Sequence, residues 1–142
     1  MVFKAVPLEN VYLLSIFPEE DVLESILSFV ESEGINNAII SAGYGTLSEV
    51  RLHWITSTAV PPDNHFQRLR GPYELLSLQG IIVNKEPHIH AVVSINGRAF
   101  GGHLEVGCKV LYLCEVAVQK LCSETFLRRL PNKCGVRQIN FE

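Results

Sequence analysis

The segment HIHAVVSINGRAFGGHLE, residues 88–105, does most to determine the fold. It contains Asn96-Gly97 between two runs of strand-forming residues. This dipeptide is a strong signal for a two-residue hairpin, because both positions of a type I′ turn need positive φ. We therefore predict one strand over residues 88–95 and a second, antiparallel to it, over residues 99–104, with Ile95 opposite Arg98.

The register of this hairpin brings three histidines to one face. Counting outward from the turn, His90 faces His103 and His88 faces Glu105, and residues two apart in a strand share a face. Opposed Cβ atoms lie roughly 4.5–5.5 Å apart, which lets imidazoles converge on one ion. The pattern predicts a divalent-metal site at His88, His90 and His103. Zinc is the first candidate, since three imidazoles with an open position are typical of catalytic zinc.

Other interpretations of the same segment stay open. A bulge at Gly101-Gly102 would turn His103 to the opposite face. The same glycines could instead allow another backbone or a ligand to approach closely. A His-x-His on a strand can also be no more than a polar face. Glu105 is a candidate fourth ligand, an orienting residue or a base, and it is equally well explained as a solvated charge beside a turn.

The rest of the chain has the periodicities of an α+β fold. After a buried strand over residues 11–16, acidic residues Glu19, Glu20 and Asp21 are predicted to form the first turn of the one strong helix, which Gly34 ends. Further strands are predicted over residues 38–42, 47–55, 73–83, 110–119 and 136–141, with a brief turn over 126–130. Gly43-Tyr44-Gly45 is predicted to interrupt the sheet, and residues 57–70 to form a long mobile loop.

Composition narrows the class of protein. The 142 residues are 47% hydrophobic with a net charge of −3, which fits one globular domain over residues 1–142 and gives no overall basic footprint for nucleic acid. The one basic cluster is Arg128-Arg129 with Lys133 and Arg137. We expect a cytoplasmic protein with no membrane partner, because neither a leader nor a spanning segment is visible. The four cysteines form no Cys-x-x-Cys pair and are predicted to be free thiols: Cys108, Cys114, Cys122 and Cys134.

Several motifs together resemble the plant-and-prokaryote-conserved (PPC) domain family over nearly the whole chain. Residues 71–80, GPYELLSLQG, are similar to the family hallmark Gly-Arg-Phe-Glu-Ile-Leu-Ser-Leu-x-Gly. His88-x-His90 followed by residues 101–104, GGHL, is similar to its second hallmark. Glu115-Val116 and the small-residue segment 41–45 also match.

The resemblance implies an antiparallel sheet flanked by helix, a homotrimer, and a metal, commonly zinc, held by the three histidines. It also implies an interaction motif, here Gly71, Pro72, Tyr73, Glu74, Leu75 and Leu76. Plant members join the domain to AT-hooks and act as nuclear DNA-binding regulators, whereas prokaryotic members stand alone. This chain departs from the family in two respects: Pro72 replaces the motif's arginine, and no AT-hook is present.

The sequence does not identify a partner for three polar residues: Glu74, His53 and His65. Glu74 lies in an apolar strand, where a carboxylate needs one; an arginine of a neighbouring subunit or the histidine cluster would serve, and in the latter case Glu74 is a second candidate base. Tyr73, Leu75 and Ser77 are predicted to share one face, and Glu74, Leu76 and Leu78 the other. His53 and His65 are predicted to be surface residues.

Three functions compete on this sequence. The first is a homotrimeric, metal-binding regulatory module that binds protein or DNA, the latter by family analogy. The second is a metal-dependent hydrolase or lyase acting on a small molecule, with Glu105 or Glu74 as base and the segment 57–70 covering the site. The third is a structural role, in which the histidines fix a hairpin or a subunit contact.

Overall fold

Antiparallel strands make up most of the structure, a computed structural model that describes residue 1, residues 3–123 and residues 126–141. The described part of the chain contains a single helix, so the predicted sheet-dominated α+β class is confirmed. In chain order the elements are β1 (Leu8–Ile16), α1 (Val22–Ser32), β2 (Ala38–Ile55), β3 (Asn64–Val83), β4 (Glu86–Ile95), β5 (Arg98–Leu104), β6 (Lys109–Leu121), β7 (Arg128–Pro131) and β8 (Arg137–Asn140). That residues 1–142 form one domain stays a prediction.

The main sheet closes partly on itself. Its six strands follow the order β1-β6-β2-β3-β4-β5, and all of their pairings are antiparallel. The far half of β2 pairs a second time, with β5, through Leu52 opposite Leu104 and His53 opposite His103. The strands β2, β3, β4 and β5 therefore form a closed ring, while β7 and β8 form a separate ribbon.

The helix packs on the inner face of the sheet through its apolar stripe. Its buried residues are Val22, Leu23, Ile26 and Val30, which have the spacing of one helical face. They join a core built from the inward residues of all six strands. Phe29 adds an edge-on ring contact with Tyr12 of β1, at 5.1 Å between centroids. Gly34 ends the helix with φ of 59°, as predicted.

The predicted start of the helix is three residues too early. Asp21 is the N-cap rather than part of the first turn, and Glu19 and Glu20 precede it. A carboxylate at this position can accept hydrogen bonds from the free N–H groups of the first turn, which favours capping over continuing the helix backwards. Asp21 Oδ1 accepts from the N–H groups of Leu23 and Glu24, both at 3.0 Å. Its Oδ2 accepts from Gly107 N–H at 2.6 Å and so ties the helix to the turn before β6.

Two predicted breaks in the sheet are wrong. β2 continues through residues 43–45, because the strand absorbs these residues with register shifts against β6 rather than turning. β3 begins at Asn64, not near residue 73, so the predicted loop over 57–70 shrinks to residues 56–63. The polar residues of this segment suggested a loop, but they belong to a strand, because both faces of the β2–β3 ribbon are partly solvated. For example, Arg68 Nε of β3 donates a hydrogen bond to Glu49 Oε2 of β2 at 3.1 Å.

The tail and the cysteines are largely as the sequence indicates. The last predicted strand is β8, whereas the predicted turn over 126–130 is partly the strand β7. All four cysteines are free. Burial raises the pKa of Cys108 to about 12 and that of Cys114 to about 11, so both stay protonated near neutral pH. Within the described residues, no helix is long and apolar enough to cross a bilayer.

We expect Asp21→Ala to lower the free energy of unfolding by about 2 kcal/mol or more, because it removes both the cap and the acceptor of Gly107 N–H. Urea denaturation measures this change. Asp21→Asn is the matched control: its side-chain oxygen can still cap the helix, but its amide nitrogen cannot accept from Gly107, so it should cost less. Equal losses in the two variants would contradict this account of the carboxylate.

Candidate metal centre

The hairpin β4–β5 has the predicted register without a shift. Its pairs run from Ile95 opposite Arg98 to His90 opposite His103. Asn96 and Gly97 form the turn with φ of 51° and 74°. The alternative of a bulge at Gly101-Gly102 is therefore wrong, and His90 and His103 share the outer face.

Three imidazoles converge at this end of the hairpin. His88 Nε2 lies 3.1 Å from His90 Nε2, and the ring of His103 stands edge-on to both rings, with centroids 4.9 and 5.4 Å away. One nitrogen from each of the three lies within 4.8 Å of the others. His88 and His90 are exposed and His103 is half-buried. Three imidazole nitrogens at this spacing can bind one divalent ion after small side-chain rotations.

The surroundings keep these rings neutral. Burial is the main cause that lowers the pKa of His103, to about 4, with the neighbouring His53 as the second cause. Burial also lowers the pKa of His88 and His90. Because the neutral imidazole is the form that binds a metal, the donor set fits a divalent ion.

A fourth histidine belongs to the site, and the prediction that His53 is merely a surface residue is wrong. The pairing of β2 with β5 places His53 directly opposite His103, with ring centroids 4.6 Å apart. Its Nδ1 lies 2.7 Å from Glu105 Oε1. His53, His103 and Glu105 thus form a second group of possible ligands that shares His103 with the first.

Glu105 does not occupy the position that the hairpin register predicts. It lies just beyond the end of β5, and its carboxylate turns toward β2 and His53 rather than toward His88. His88 is paired instead with Ile81 of β3. Of the four predicted neighbours, the structure brings the three histidines together and connects Glu105 to them through His53.

The two adjacent glycines of β5 make this arrangement possible. A Cβ on Gly102 would lie 2.5 Å from the carbonyl oxygen of His53, and a Cβ on Gly101 would lie 2.7 Å from that of Ala91. Both distances are too short for a real side chain. Of the alternatives left open for these glycines, close approach of another backbone is the one that the structure shows: Gly101 approaches β4 and Gly102 approaches β2.

A cleft of about 820 Å³ lies beside the histidine cluster. His53, His88, His90 and His103 line it together with the glycines of β5. Its apolar walls come from three parts of the chain: Trp54 and Ile55 at the end of β2, Pro62 of the 56–63 loop, and Val136 before β8. Pro62 belongs to the segment 57–70 that was predicted to cover the site, so part of that segment lies at the cleft.

The predicted interaction motif lies elsewhere on β3. Glu74 is exposed and stands opposite Ser94 of β4, whereas Gln79, five residues further along β3, stands opposite His90. The structure therefore does not bring Glu74 to the histidines. Glu74 makes no hydrogen bond or ion pair with another described residue. Leu76 is exposed as well, while Tyr73 and Leu75 are buried. The remaining members are Gly71, with φ of 151°, and Pro72.

A bulge between Leu75 and Ser77 changes the alternation of this strand. Leu78 is buried, so the prediction that it shares a face with Glu74 and Leu76 is wrong. Glu115, the other acidic residue in an apolar strand, accepts a hydrogen bond from the hydroxyl of Tyr44. That hydrogen bond raises the pKa of Tyr44.

Comparison with known proteins identifies the family. The family model of the Plants and Prokaryotes Conserved (PCC) domain matches residues 4–122. The chain belongs to this family. A Pyrococcus horikoshii plant- and prokaryote-conserved (PPC) protein is 32% identical, with a TM-score of 0.82 over 99% of this chain and 97% of that one. The resemblance drawn from the sequence motifs is thus confirmed.

Other relatives of this PCC-domain chain differ in context. The metal-containing protein from Archaeoglobus fulgidus is 26% identical, with a TM-score of 0.80 over 95% of each chain. The bifunctional protein GlmU of a Synechococcus strain is 25% identical over 94% of this chain, but the match covers 21% of that protein's length. The chain therefore spans about a fifth of the curated relatives it matches. A Bacteroides thetaiotaomicron structure with a provisional DNA-binding name shares the fold at 23% identity, with a TM-score of 0.79 over 95% of this chain and 94% of that one.

In the metal-free protein we expect the His103 ring to titrate near pH 4 and to stay neutral from pH 5 upward. NMR of ¹³C-labelled histidine in the presence of EDTA measures this directly. Since the unfolded chain takes up this proton near the ordinary value of 6.5, it binds more protons than the folded chain between pH 6.5 and 4. The contribution of His103 to stability should therefore fall as pH falls through that window. A midpoint near 6.5 for His103 would show that the ring is not desolvated.

Proposed function

We propose that this chain is a metal-binding PCC-domain module in which His88, His90 and His103 hold one divalent ion. The observation that carries the proposal is the convergence of three neutral imidazoles on one face of a rigid hairpin. The backbone contacts of β5 with β4 and β2 fix the strand that carries His103. Little conformational freedom of this strand is therefore lost when an ion binds. The name of the Archaeoglobus fulgidus relative, a metal-containing protein, supports the same interpretation.

Zinc is the first candidate for this ion. Imidazole donors suit zinc, copper, iron and nickel, while calcium and magnesium prefer oxygen ligands. Three histidine ligands leave one position of a tetrahedral ion for water or another small molecule. Zinc held by the three histidines would act as a Lewis acid and lower the pKa of a water bound at that open position toward about 7.

We further propose that the module assembles as a homotrimer through the outer face of its sheet. Four exposed apolar side chains lie along this face: Leu13, Tyr44, Leu76 and Leu113. They border two adjoining grooves that have Tyr44 in common. Glu74 and Glu115 lie between them, where a neighbouring copy could supply the partner that Glu74 lacks among the described residues. A contiguous exposed apolar patch of this kind marks an interaction surface.

A regulatory role in contact with protein or DNA fits the family, with DNA as the weaker part of this proposal. The net charge is −3, whereas tight nonspecific DNA binding needs a basic face. Two of the four basic residues near the end of the chain already have partners. Arg137 pairs with Glu86 at 2.7 Å, and Arg129 donates to the carbonyl oxygen of Ile81 at 3.0 Å.

A metal-dependent enzyme of hydrolase or lyase type is the second candidate. The cleft favours it, because a largely apolar cleft of this volume that is lined in part by the histidine cluster can admit a small molecule. The His53–Glu105 pair beside the cluster adds a polar group that three-histidine binding does not use. Glu74 lies too far along β3 to act as its base.

We expect the untagged protein to carry about one zinc ion per chain by elemental analysis. His103→Ala should lower zinc affinity by more than about 100-fold, because it removes a direct ligand and not merely an orienting group. Zinc at 100 times its dissociation constant should raise the free energy of unfolding of the wild type by about 2.7 kcal/mol. His65→Ala is the control, since the ring of His65 contacts Trp54 at a tilt and lies outside the cluster. A wild type that rejects zinc, nickel and cobalt would refute the metal proposal.

For the assembly, native mass spectrometry should show three chains per particle. We expect Leu76→Glu to yield monomers, because burying an unpaired charge in an apolar contact costs several kcal/mol. Val60→Glu is the matched control: it adds the same charge at another exposed apolar residue, in the 56–63 loop. A trimer that survives Leu76→Glu, or a wild type that is monomeric, would contradict the proposed interface.

A further inference from the structure

The hydrogen bond between His53 and Glu105 fixes which ring nitrogen of His53 carries the proton. Nδ1 of His53 lies 2.7 Å from Glu105 Oε1, and an ionised carboxylate can only accept a hydrogen bond. Nδ1 therefore donates. In the neutral ring the other nitrogen, Nε2, then has no proton and presents a lone pair as an acceptor.

The His53 ring is held in place on both sides. It packs against Phe66 of β3, with centroids 4.7 Å apart, and against His103, with centroids 4.6 Å apart. Gly102 brings the backbone of β5 against the carbonyl of His53 itself. Because backbone, ring contacts and carboxylate all restrict this residue, its ring has little freedom to turn, and His53 lines the cleft together with the three-histidine cluster.

His53 is not a member of the three-histidine ligand set. The two possible ligand groups have only His103 in common, and His53 belongs to the one without His88 and His90. An ion held by His88, His90 and His103 would therefore have His53 as a neighbour that is not a ligand, because the ring of His53 contacts that of His103 and lines the same cleft. Three neutral imidazoles also leave the double positive charge of the ion uncompensated, so an anionic oxygen is the favoured exogenous ligand.

We infer that His53 is a positioning residue that accepts a hydrogen bond from the hydroxyl group of a metal-bound ligand, so that the cleft selects small α-hydroxy carboxylates. The carboxylate satisfies the charge of the ion, the hydroxyl donates to Nε2 of His53, and the apolar walls at Trp54, Ile55 and Val136 receive an apolar substituent. Glu105 acts through His53 by holding the tautomer. This inference rests on the proposed metal site and names the ligand class of that site.

The test compares two probes that differ only in whether the α-oxygen carries a proton or a methyl group. Glycolate and methoxyacetate both offer a carboxylate and an α-oxygen, but only glycolate can donate a hydrogen bond. Their affinities are measured on the full chain loaded with Co²⁺, from changes in its visible absorption spectrum. We expect the wild type to prefer glycolate by about tenfold, the upper range of one net hydrogen bond.

His53→Phe should abolish this preference, because it keeps a ring between Phe66 and His103 but removes the acceptor. The affinity for Co²⁺ should change by less than about threefold, since a direct ligand would cost far more. His65→Phe, the same substitution on the neighbouring strand, should keep the preference. Glu105→Ala, which leaves the His53 ring intact, should lower the preference in the same direction, and it serves as the test if His53→Phe does not fold.

The outcomes separate this inference from the metal proposal. A wild type that binds no Co²⁺ refutes both. Normal Co²⁺ binding with equal affinity for the two probes, or a preference that survives both His53→Phe and Glu105→Ala, overturns the role of His53 alone. A loss of Co²⁺ in His53→Phe as large as that in His103→Ala would make His53 a metal ligand and also overturn it.

Discussion

The close approach of β5 to the strands on both of its sides is the constraint on which the site depends. Gly101 lies against the carbonyl of Ala91 in β4, and Gly102 lies against the carbonyl of His53 in β2. Any side chain at either position would push one neighbouring strand away. The closed ring of β2, β3, β4 and β5 therefore requires glycine at both positions, and with it comes the contact between His53 and His103.

This closure also sets the electrostatics of the cluster. Bringing β2 beside β5 removes water from the His103 ring, and that burial is the largest cause of its lowered pKa. The second cause is the proximity of His53, another result of the same closure. A ring that stays neutral does not repel an incoming cation, so one backbone contact supplies both the spacing and the protonation state that metal binding needs.

The local part of this arrangement could be predicted from sequence, whereas the long-range part could not. The turn chemistry of Asn96-Gly97 determines the register of the hairpin, so the opposition of His90 and His103 followed from neighbours in the chain. His53 is 50 residues from His103, and no periodicity within β2 indicates which strand it will meet. The paired glycines at 101 and 102 were the available signal, but they were compatible with a bulge, a close backbone approach or a bound ligand, and they did not indicate which strand would come close.

Side-chain directions at the ends of elements were less predictable for a related reason. Glu105 has strand-like spacing from His103, yet β5 ends at Leu104 and the carboxylate is free to turn toward the nearest donor, His53 Nδ1. Asp21 likewise has the composition of a first helical turn but acts as the cap, because its carboxylate satisfies N–H groups from both α1 and the turn before β6. In both cases a tertiary hydrogen bond overrides a local pattern.

The bulge in β3 explains how one strand contributes to two separate surfaces. Before it, Leu75 points inward and Leu76 outward into the apolar grooves; after it, Leu78 points inward and Gln79 outward, opposite His90. Without the extra residue, strict alternation would turn Leu78 to solvent and Gln79 into the core. The bulge thus restores an apolar core beneath the histidines while leaving the exposed residues near Leu76 on the same outer face. Because Leu76 lies near the Glu74–Ser94 end of the β3–β4 pairing, whereas Gln79 is opposite His90 further along the strand, a substitution at Leu76 can alter the proposed interface without replacing a residue that faces a histidine.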